Sequence, residues 1–263
     1  MSHDLNGKVV IITGSSSGIG QAAAILFAKS GASVTIHGRS EDGLKKTADL
    51  IAEAGIPKDR IHSVKGPVTD DSVLAALINE TIEKFGKLDI IINNVGIANK
   101  EGTKDHRSME NLDYILHVNV KSIIRLTELA IPHLEKTKGN IVNVSSIASQ
   151  KTSQPIPFYN ISKAALDHFA RNYASILAPQ GIRVNNLNPG ATQTSFMTRH
   201  GIPIQVLEKL TKDFKIPLGR WGSPEEMAEF LAFIASEKAS YMTGQIINVD
   251  GGLLVHSPSL KLD

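Results

Sequence analysis

A glycine-rich turn between an apolar run and a helix of small residues constrains this chain more than any other feature. Val9-Val10-Ile11-Ile12 leads into Thr13-Gly14-Ser15-Ser16-Ser17-Gly18-Ile19-Gly20, and Ala22-Ala23-Ala24-Ile25-Leu26-Phe27-Ala28 follows. That is the pattern of a buried strand, a tight turn and a helix. Glycine lets backbone approach a phosphate closely, and a helix N-terminus offers unpaired N–H groups and a positive dipole end. The turn therefore reads as a seat for a dinucleotide pyrophosphate. Its spacing is G-x-x-x-G-x-G, not G-x-G-x-x-G. Two readings compete. One is a small-residue turn that binds nothing. The other is the nucleophile elbow of a serine hydrolase, since Gly14-Ser15-Ser16-Ser17-Gly18 also fits G-x-S-x-G. That fold needs an oxyanion loop after an earlier strand, and with only about a dozen residues before it this turn is badly placed for one.

Along the chain, short β-rich runs alternate with helical patterns. Strands are expected at 8–13, 32–37, 61–65, 88–93, 140–145, 182–187 and 245–249. Most are nearly continuous apolar runs, as strands covered on both faces are. Helices are expected at roughly 18–30, 41–54, 70–85, 109–134, 158–178 and 224–236. Ser223-Pro224-Glu225-Glu226 has a serine cap, proline at N1 and glutamate at N3, a helix start. The alternation predicts an α/β fold: one doubly wound parallel sheet of about seven strands with helices on both faces. No repeat or linker interrupts it, so 1–263 reads as one domain.

The second strand ends His37-Gly38-Arg39-Ser40. In a dinucleotide fold this strand end faces the adenosine ribose, where a carboxylate would take the 2′-hydroxyl of NAD. Arg39 offers instead a charge-assisted contact to the 2′-phosphate of NADP, unless it is simply a solvated loop arginine. The fourth strand runs into Asn93-Asn94-Val95-Gly96, which by itself reads as an ordinary turn. Asn119 sits in the middle of a helical stretch, where asparagine is a poor helix former; it reads as solvated or helix-bending.

The chemistry centres on Tyr159 and Lys163. Four residues apart, they share one face of a helix. A cation beside a phenol favours its ionised form. Lowering a tyrosine from ~10 to ~7 takes roughly 4 kcal/mol, more than one lysine in water supplies. Ser146, at the end of the fifth strand, lies 13 residues before Tyr159. Pro189-Gly190 is another rigid turn at the same sheet edge, and Ala191-Thr192-Gln193-Thr194 follows with polar groups able to meet a carboxamide.

Composition excludes several classes. There is no cysteine, hence no disulfide and no thiolate site. The nine histidines form no H-E-x-x-H or similar pair, so no metal is expected; His37, His117 and His168 read as structural or solvated. A net charge of +2 gives no reason to invoke nucleic acid. No apolar run reaches the ~18 residues of a membrane span, and the N-terminus has no apolar signal core. The expected compartment is the cytoplasm.

The motifs in this order resemble the short-chain dehydrogenase/reductase family over roughly residues 5–252. The resemblance rests on Thr13-Gly14 to Gly18-Ile19-Gly20, Asn93-Asn94-Val95-Gly96, Asn119, Ser146, Tyr159-Asn160-Ile161-Ser162-Lys163, Pro189-Gly190 and Asp250-Gly251-Gly252. It implies a tetrad of Asn119, Ser146, Tyr159 and Lys163, with Tyr159 as general acid/base, Ser146 on the carbonyl oxygen, Lys163 on the nicotinamide ribose and Asn119 holding a water. It implies cofactor contacts from Gly14, Ser16, Ser17, Gly18, Ile19, Gly20, Arg39, Ser40, Val68, Asn94, Val95, Gly96, Tyr159, Lys163, Pro189, Gly190, Thr192 and Thr194. NADP(H) is expected over NAD(H). Three positions depart from the family pattern: Val95 stands for alanine, Pro67 for an aspartate that touches adenine, and Thr192 for a branched apolar residue.

The resemblance leans towards tropinone-reductase-like and other ketone reductases, with 3-oxoacyl thioesters as the alternative substrate and a non-catalytic family-like protein as the alternative class. Residues 193–216 are expected to form a variable lid, with Phe196, Met197, Ile202, Ile204 and Val206 supplying apolar surface. Ile147, Gln154, Pro155 and Phe158 are expected opposite it, with Ser146 at the substrate oxygen. A homo-oligomer, a tetramer or else a dimer, is expected from the family and from the apolar surface of 109–134: Leu112, Ile115, Leu116, Ile123, Ile124, Leu126 and Leu129.

Overall fold

The structure is a computed structural model that describes residues 4–196 and 216–256. Seven strands, β1 (Val9–Ile12), β2 (Ser33–Gly38), β3 (Ile61–Lys65), β4 (Ile90–Asn93), β5 (Asn140–Val144), β6 (Arg183–Pro189) and β7 (Ile246–Val249), form one sheet in the order β3-β2-β1-β4-β5-β6-β7. Every pairing is parallel. The chain moves outward from β1 to β3 and then returns to place β4 beside β1. At that reversal the carboxyl ends of two adjacent strands diverge and open a crevice. The sequence expectation of a doubly wound sheet holds.

Side chains alternate across the sheet as the two-residue period of a strand requires. Val10, Ile12, Ile90, Ile92, Val142 and Val144 pack on one side with helices α1 (Gly18–Lys29) and α2 (Glu41–Glu53). Met227, Leu231 and Ile234 of the last described helix, Pro224–Ala235, complete that layer. Ile11, Ile91 and Ile141 face the other side, against α3 (Asp71–Phe85), the helical stretch 109–137 and the helix Pro157–Leu177. The predicted box at residues 223–226 forms: Glu226 N–H donates to Ser223 Oγ at 3.2 Å, and Ser223 N–H to Glu226 Oε2 at 2.8 Å.

One helix differs from its expectation. The stretch read as a single helix over 109–134 comprises α4 (Met109–Leu116), a π-turn over His117–Lys121, and α5 (Ser122–Thr137). A π-turn adds one residue to a helical turn and re-aims the side chains around it. Two further long helices among the described residues are α6 (Pro157–Leu177) and α7 (Pro224–Ala235). Most of the expected lid, residues 197–215, lies outside the described residues, and Met197, Ile202, Ile204 and Val206 with it.

Candidate active site

The glycine turn sits at the crevice between β1 and β4, and its shape requires glycine. Gly14 and Gly18 have φ of +68° and +58°, a region that side chains disfavour. At Gly20 a Cβ would fall 2.5 Å from both Gly14 O and Asn94 Nδ2, so α1 could not pack this close with any larger residue. Asn94 is more than a local turn residue. Its Nδ2 donates to Thr13 O at 3.0 Å and Gly14 O at 3.1 Å, and its N–H to Thr13 Oγ1 at 3.0 Å. It staples the turn after β4 to the turn after β1.

His37 is part of the same frame, a role its sequence context did not disclose. It is buried at the end of β2, where Gly14 N–H donates to its Nδ1 at 3.3 Å and its Nε2 meets Gly66 O at 3.0 Å. Burial pushes its pKa down to about 4, against a smaller opposing effect of the Gly66 carbonyl. The neutral ring can thus accept from one glycine and donate to the other.

Two cavities meet at Gly14 and Gly96. One, of about 350 Å³, is walled by Ser16, Gly38, Arg39, Pro67, Val68 and Val95 among others. Arg39 is exposed at its rim. Gly38 is packed tightly, since a Cβ there would lie 2.9 Å from Ser16 Oγ. Ser40 caps α2 by accepting from Gly43 N–H at 3.1 Å. The other cavity, of about 340 Å³, holds Ser17, Gly18, Ile19, Asn94, Ser146, Tyr159, Lys163, Pro189, Gly190, Thr192 and Thr194 in its wall. Thr194 packs over Gly18. A cleft with two such halves joined at a glycine turn fits a dinucleotide laid across the sheet edge.

Three members of the expected tetrad, Ser146, Tyr159 and Lys163, line the second cavity; Asn119 is not part of its wall. Tyr159 and Lys163 lie on one face of α6, both buried, with Lys163 Nζ 5.6 Å from the Tyr159 ring centroid. Lys163 Nζ donates to Val144 O at 2.8 Å. Ser146, following β5, accepts from Ala148 N–H at 3.1 Å and hydrogen-bonds to Tyr159. Burial pushes Tyr159 up to about 12 and the Ser146 hydrogen bond opposes it. Withdrawal from solvent is the larger of the two influences on the phenol, and Ser146 is the one that opposes it. Burial also lowers Lys163 to about 8.

Asn119 is neither solvated nor idle. Fully buried in the π-turn, it accepts from Ile97 N–H at 2.9 Å and donates to Ile97 O at 2.8 Å and Ser162 Oγ at 2.9 Å. It ties the segment after β4 to α6 one residue before Lys163.

On the substrate side, Ile147 and Phe196 line the cavity, and the Phe196 ring lies 5.7 Å from that of Tyr159. Gln154 and Pro155 lie outside this wall, which is lined from the same segment by Lys151, Thr152, Ser153 and Ile156. Phe158 is half-buried and also outside this wall. Proline at N1 starts α6 at residue 157. Trp221 and Leu253 complete the apolar floor from distant positions that no local motif marked. Among the described residues no three metal-ligating side chains gather, and no helix is long and apolar enough to cross a membrane.

Comparison with known proteins agrees with this arrangement. Residues 14–254 match a family model described as enoyl-(acyl carrier protein) reductase. A 3-oxoacyl-[acyl-carrier-protein] reductase of Thermotoga maritima is 36% identical over 253 residues, 95% of this chain and 99% of that protein. A short-chain dehydrogenase/reductase of unknown function from Caenorhabditis elegans, solved with cofactor, superposes with a TM-score of 0.91 at 39% identity, covering 97% of each chain. L-sorbose reductase from Gluconobacter frateurii, solved with NADPH and L-sorbose, gives a TM-score of 0.88 at 32% identity over 98% of this chain and all of that one.

Proposed function

The chain belongs to the short-chain dehydrogenase/reductase family, and from that premise we propose that it interconverts a ketone and a secondary alcohol with NADP(H), using Tyr159 as general acid/base. The observation that carries this reading is the meeting of Ser146, Tyr159 and Lys163 in one cavity that also contains the glycine turn. NADP(H), when bound, supplies or accepts the hydride. Gly14 to Gly20 hold the pyrophosphate and Arg39 the 2′-phosphate. Tyr159 gives its phenolic proton to the carbonyl oxygen, or takes it back from the alcohol. Ser146 donates to the same oxygen and stabilises the charge that develops there. Lys163 holds the ribose end of the nicotinamide and keeps a positive charge near the phenol, while Asn119 keeps α6 in place. One domain carries all of this, with residues 193–216 as the lid, in the cytoplasm.

Ile147, Ile156, Phe196, Trp221 and Leu253 make an apolar substrate wall, which supports a ketone or secondary alcohol over a highly charged molecule. A 3-oxoacyl thioester is the second reading, on the match to acyl-carrier-protein reductases. A carbonyl panel of small ketones and 3-oxoacyl thioesters, read by cofactor absorbance, separates them. No cofactor oxidation with any of these carbonyls would sink the enzyme assignment.

The cofactor preference rests on charge at the end of β2. Arg39 offers a planar fork of donors to a 2′-phosphate, and Gly38 puts no carboxylate there to repel it. An exposed-rim contact of this kind is worth roughly 1.5–3 kcal/mol, about 10–100-fold in affinity. Arg39→Ala should weaken NADPH by that factor and leave NADH nearly unchanged. Wild-type kcat/KM higher with NADH than with NADPH would overturn the preference outright.

We also propose a homo-oligomer, a tetramer by family resemblance. The support differs from what the sequence suggested. Ile115, Ile123 and Leu126 are buried within the chain, and Leu112, Leu116, Ile124 and Leu129 are half-buried. Much of the support comes from α6 and α7, where Ile161, Ile176, Phe230 and Phe233 are all 40–59% exposed; within 109–134 only Met109 is exposed among the large apolar side chains. Sedimentation should give an assembly above the 28.3 kDa of one chain; a stable monomer at micromolar concentration would count against it.

A further inference from the structure

A row of asparagines crosses the sheet beneath the reaction centre. Asn93, Asn143 and Asn186 are register partners on β4, β5 and β6, on the face covered by α6, and all three are buried. Asn93 Nδ2 donates to Asn143 Oδ1 at 2.8 Å, and Asn143 Nδ2 to Asn186 Oδ1 at 2.8 Å. Asn186 Nδ2 then donates to Asp167 Oδ1 at 2.9 Å. Every donor in the row points towards that carboxylate, so a charge on it polarises the whole row. Asn188 adds a further donor, its Nδ2 lying 3.0 Å from Asp167 Oδ2 and 3.3 Å from Oδ1. The same amide reaches Ser146 O and Ser149 Oγ, both at 3.0 Å. A site that presents only donors is matched by an ionised acid, which only accepts.

Asp167 is itself buried on α6, four residues after Lys163 and eight after Tyr159, on the same helical face. We propose that Asp167 is a positioning residue of the reaction centre: it is the counter-charge to the Lys163 ammonium and, through Asn188, fixes the main chain that carries Ser146. The inference rests on the roles given to Lys163, Ser146 and Tyr159 above. Burial disfavours the charged form of Lys163, and Asp167 is the group whose charge opposes that effect. Among the described residues, Gly96 after β4, Asn119 of the π-turn and Val144 O of β5 face Lys163 Nζ from other elements, and Ser145 Oγ bonds the Lys163 carbonyl; none of these ionises. Tyr159 on its own helix is the other titratable group beside it.

The test is the pH profile of kcat/KM for carbonyl reduction. Lys163 must hold its proton, so activity falls at high pH as that proton leaves. Without the anion the ammonium is less favoured, and in Asp167→Asn the high-pH limb should move down by about one pH unit or more. Asp167→Glu keeps the charge and should leave the limb near its wild-type position, even if kcat drops. Asn188→Ala keeps the charge but frees Ser146, and should lower kcat several-fold with the limb unmoved. A folded Asp167→Asn, checked by circular dichroism, whose limb stays at the wild-type pH overturns the counter-charge role. Wild-type kcat in Asn188→Ala overturns the link to Ser146. If Asp167→Asn does not fold, the exchange Asp167→Asn with Asn186→Asp carries the test: it keeps one anion on the row but moves it away from α6. A lowered limb in that exchange supports the proposal and an unmoved one overturns it. A wild type that reduces no carbonyl speaks against the proposed function; a working wild type with unmoved variants overturns this inference alone.

Discussion

Tyr159→Phe should lower carbonyl turnover by at least ~10²-fold while leaving the fold and NADPH binding in place. The substitution removes one oxygen from a ring that is buried and packed beside Phe196, so the apolar contacts remain. What disappears is the proton that the carbonyl oxygen needs as hydride arrives, together with the hydrogen bond to Ser146. The phenol stands at about 12 because burial disfavours phenolate. It is therefore a proton donor throughout the working pH range, which suits reduction, and alcohol oxidation should rise with pH because it needs the phenolate. Steady-state turnover and fluorescence titration with NADPH separate the two effects. Turnover near that of the wild type would remove Tyr159 from the mechanism.

Ser146→Ala should cost a comparable ~10²-fold, the loss expected when one preorganised donor to a developing oxyanion is deleted. Two hydrogen bonds end at this hydroxyl. One is accepted from Ala148 N–H and shapes the short turn after β5; the other joins Tyr159. The turn retains the Asn188 contact to the Ser146 carbonyl, which the substitution does not touch, so the backbone should stay in place. The Tyr159 contact matters more. It is the influence that opposes burial on the phenol, so its loss pushes the phenol further up. For Ser146→Ala the rise of alcohol oxidation should accordingly begin at higher pH than in the wild type. A ten-fold loss or less, with an unmoved profile, would make Ser146 a structural turn residue.

Much of this molecule is written in local pattern. Apolar runs of four or five residues with a glycine turn, as at Val9–Ile12, permit little besides a covered strand, and the strand–helix alternation then leaves a parallel sheet as its outcome. The capping box at Ser223 and Glu226 is equally legible, because each partner lies within one helical turn of the other. Tyr159 and Lys163 are also fixed in relation to each other by helix geometry alone. Ser146 could be placed at the same sheet edge, since the ends of parallel strands share one side.

Residues whose work depends on distant partners were a different matter. Asn94 looked like a turn residue until its amide was seen to hold Thr13 and Gly14, and Asn119 looked solvated because nothing nearby in the chain predicts Ile97 and Ser162 as its partners. Gln154 and Phe158, expected opposite the lid, are not in the cavity wall, while Trp221 and Leu253 reach it from segments remote in sequence. The row from Asn93 to Asp167 exists only once three strands are in register. By itself the sequence determined the sheet, the glycine turn and the spacing of Tyr159 and Lys163, because these follow from period and sterics within a few residues. Burial, protonation and the partner of each polar group were decided by tertiary structure. They depend on which distant segments exclude water from a given atom and which donors those segments bring to it.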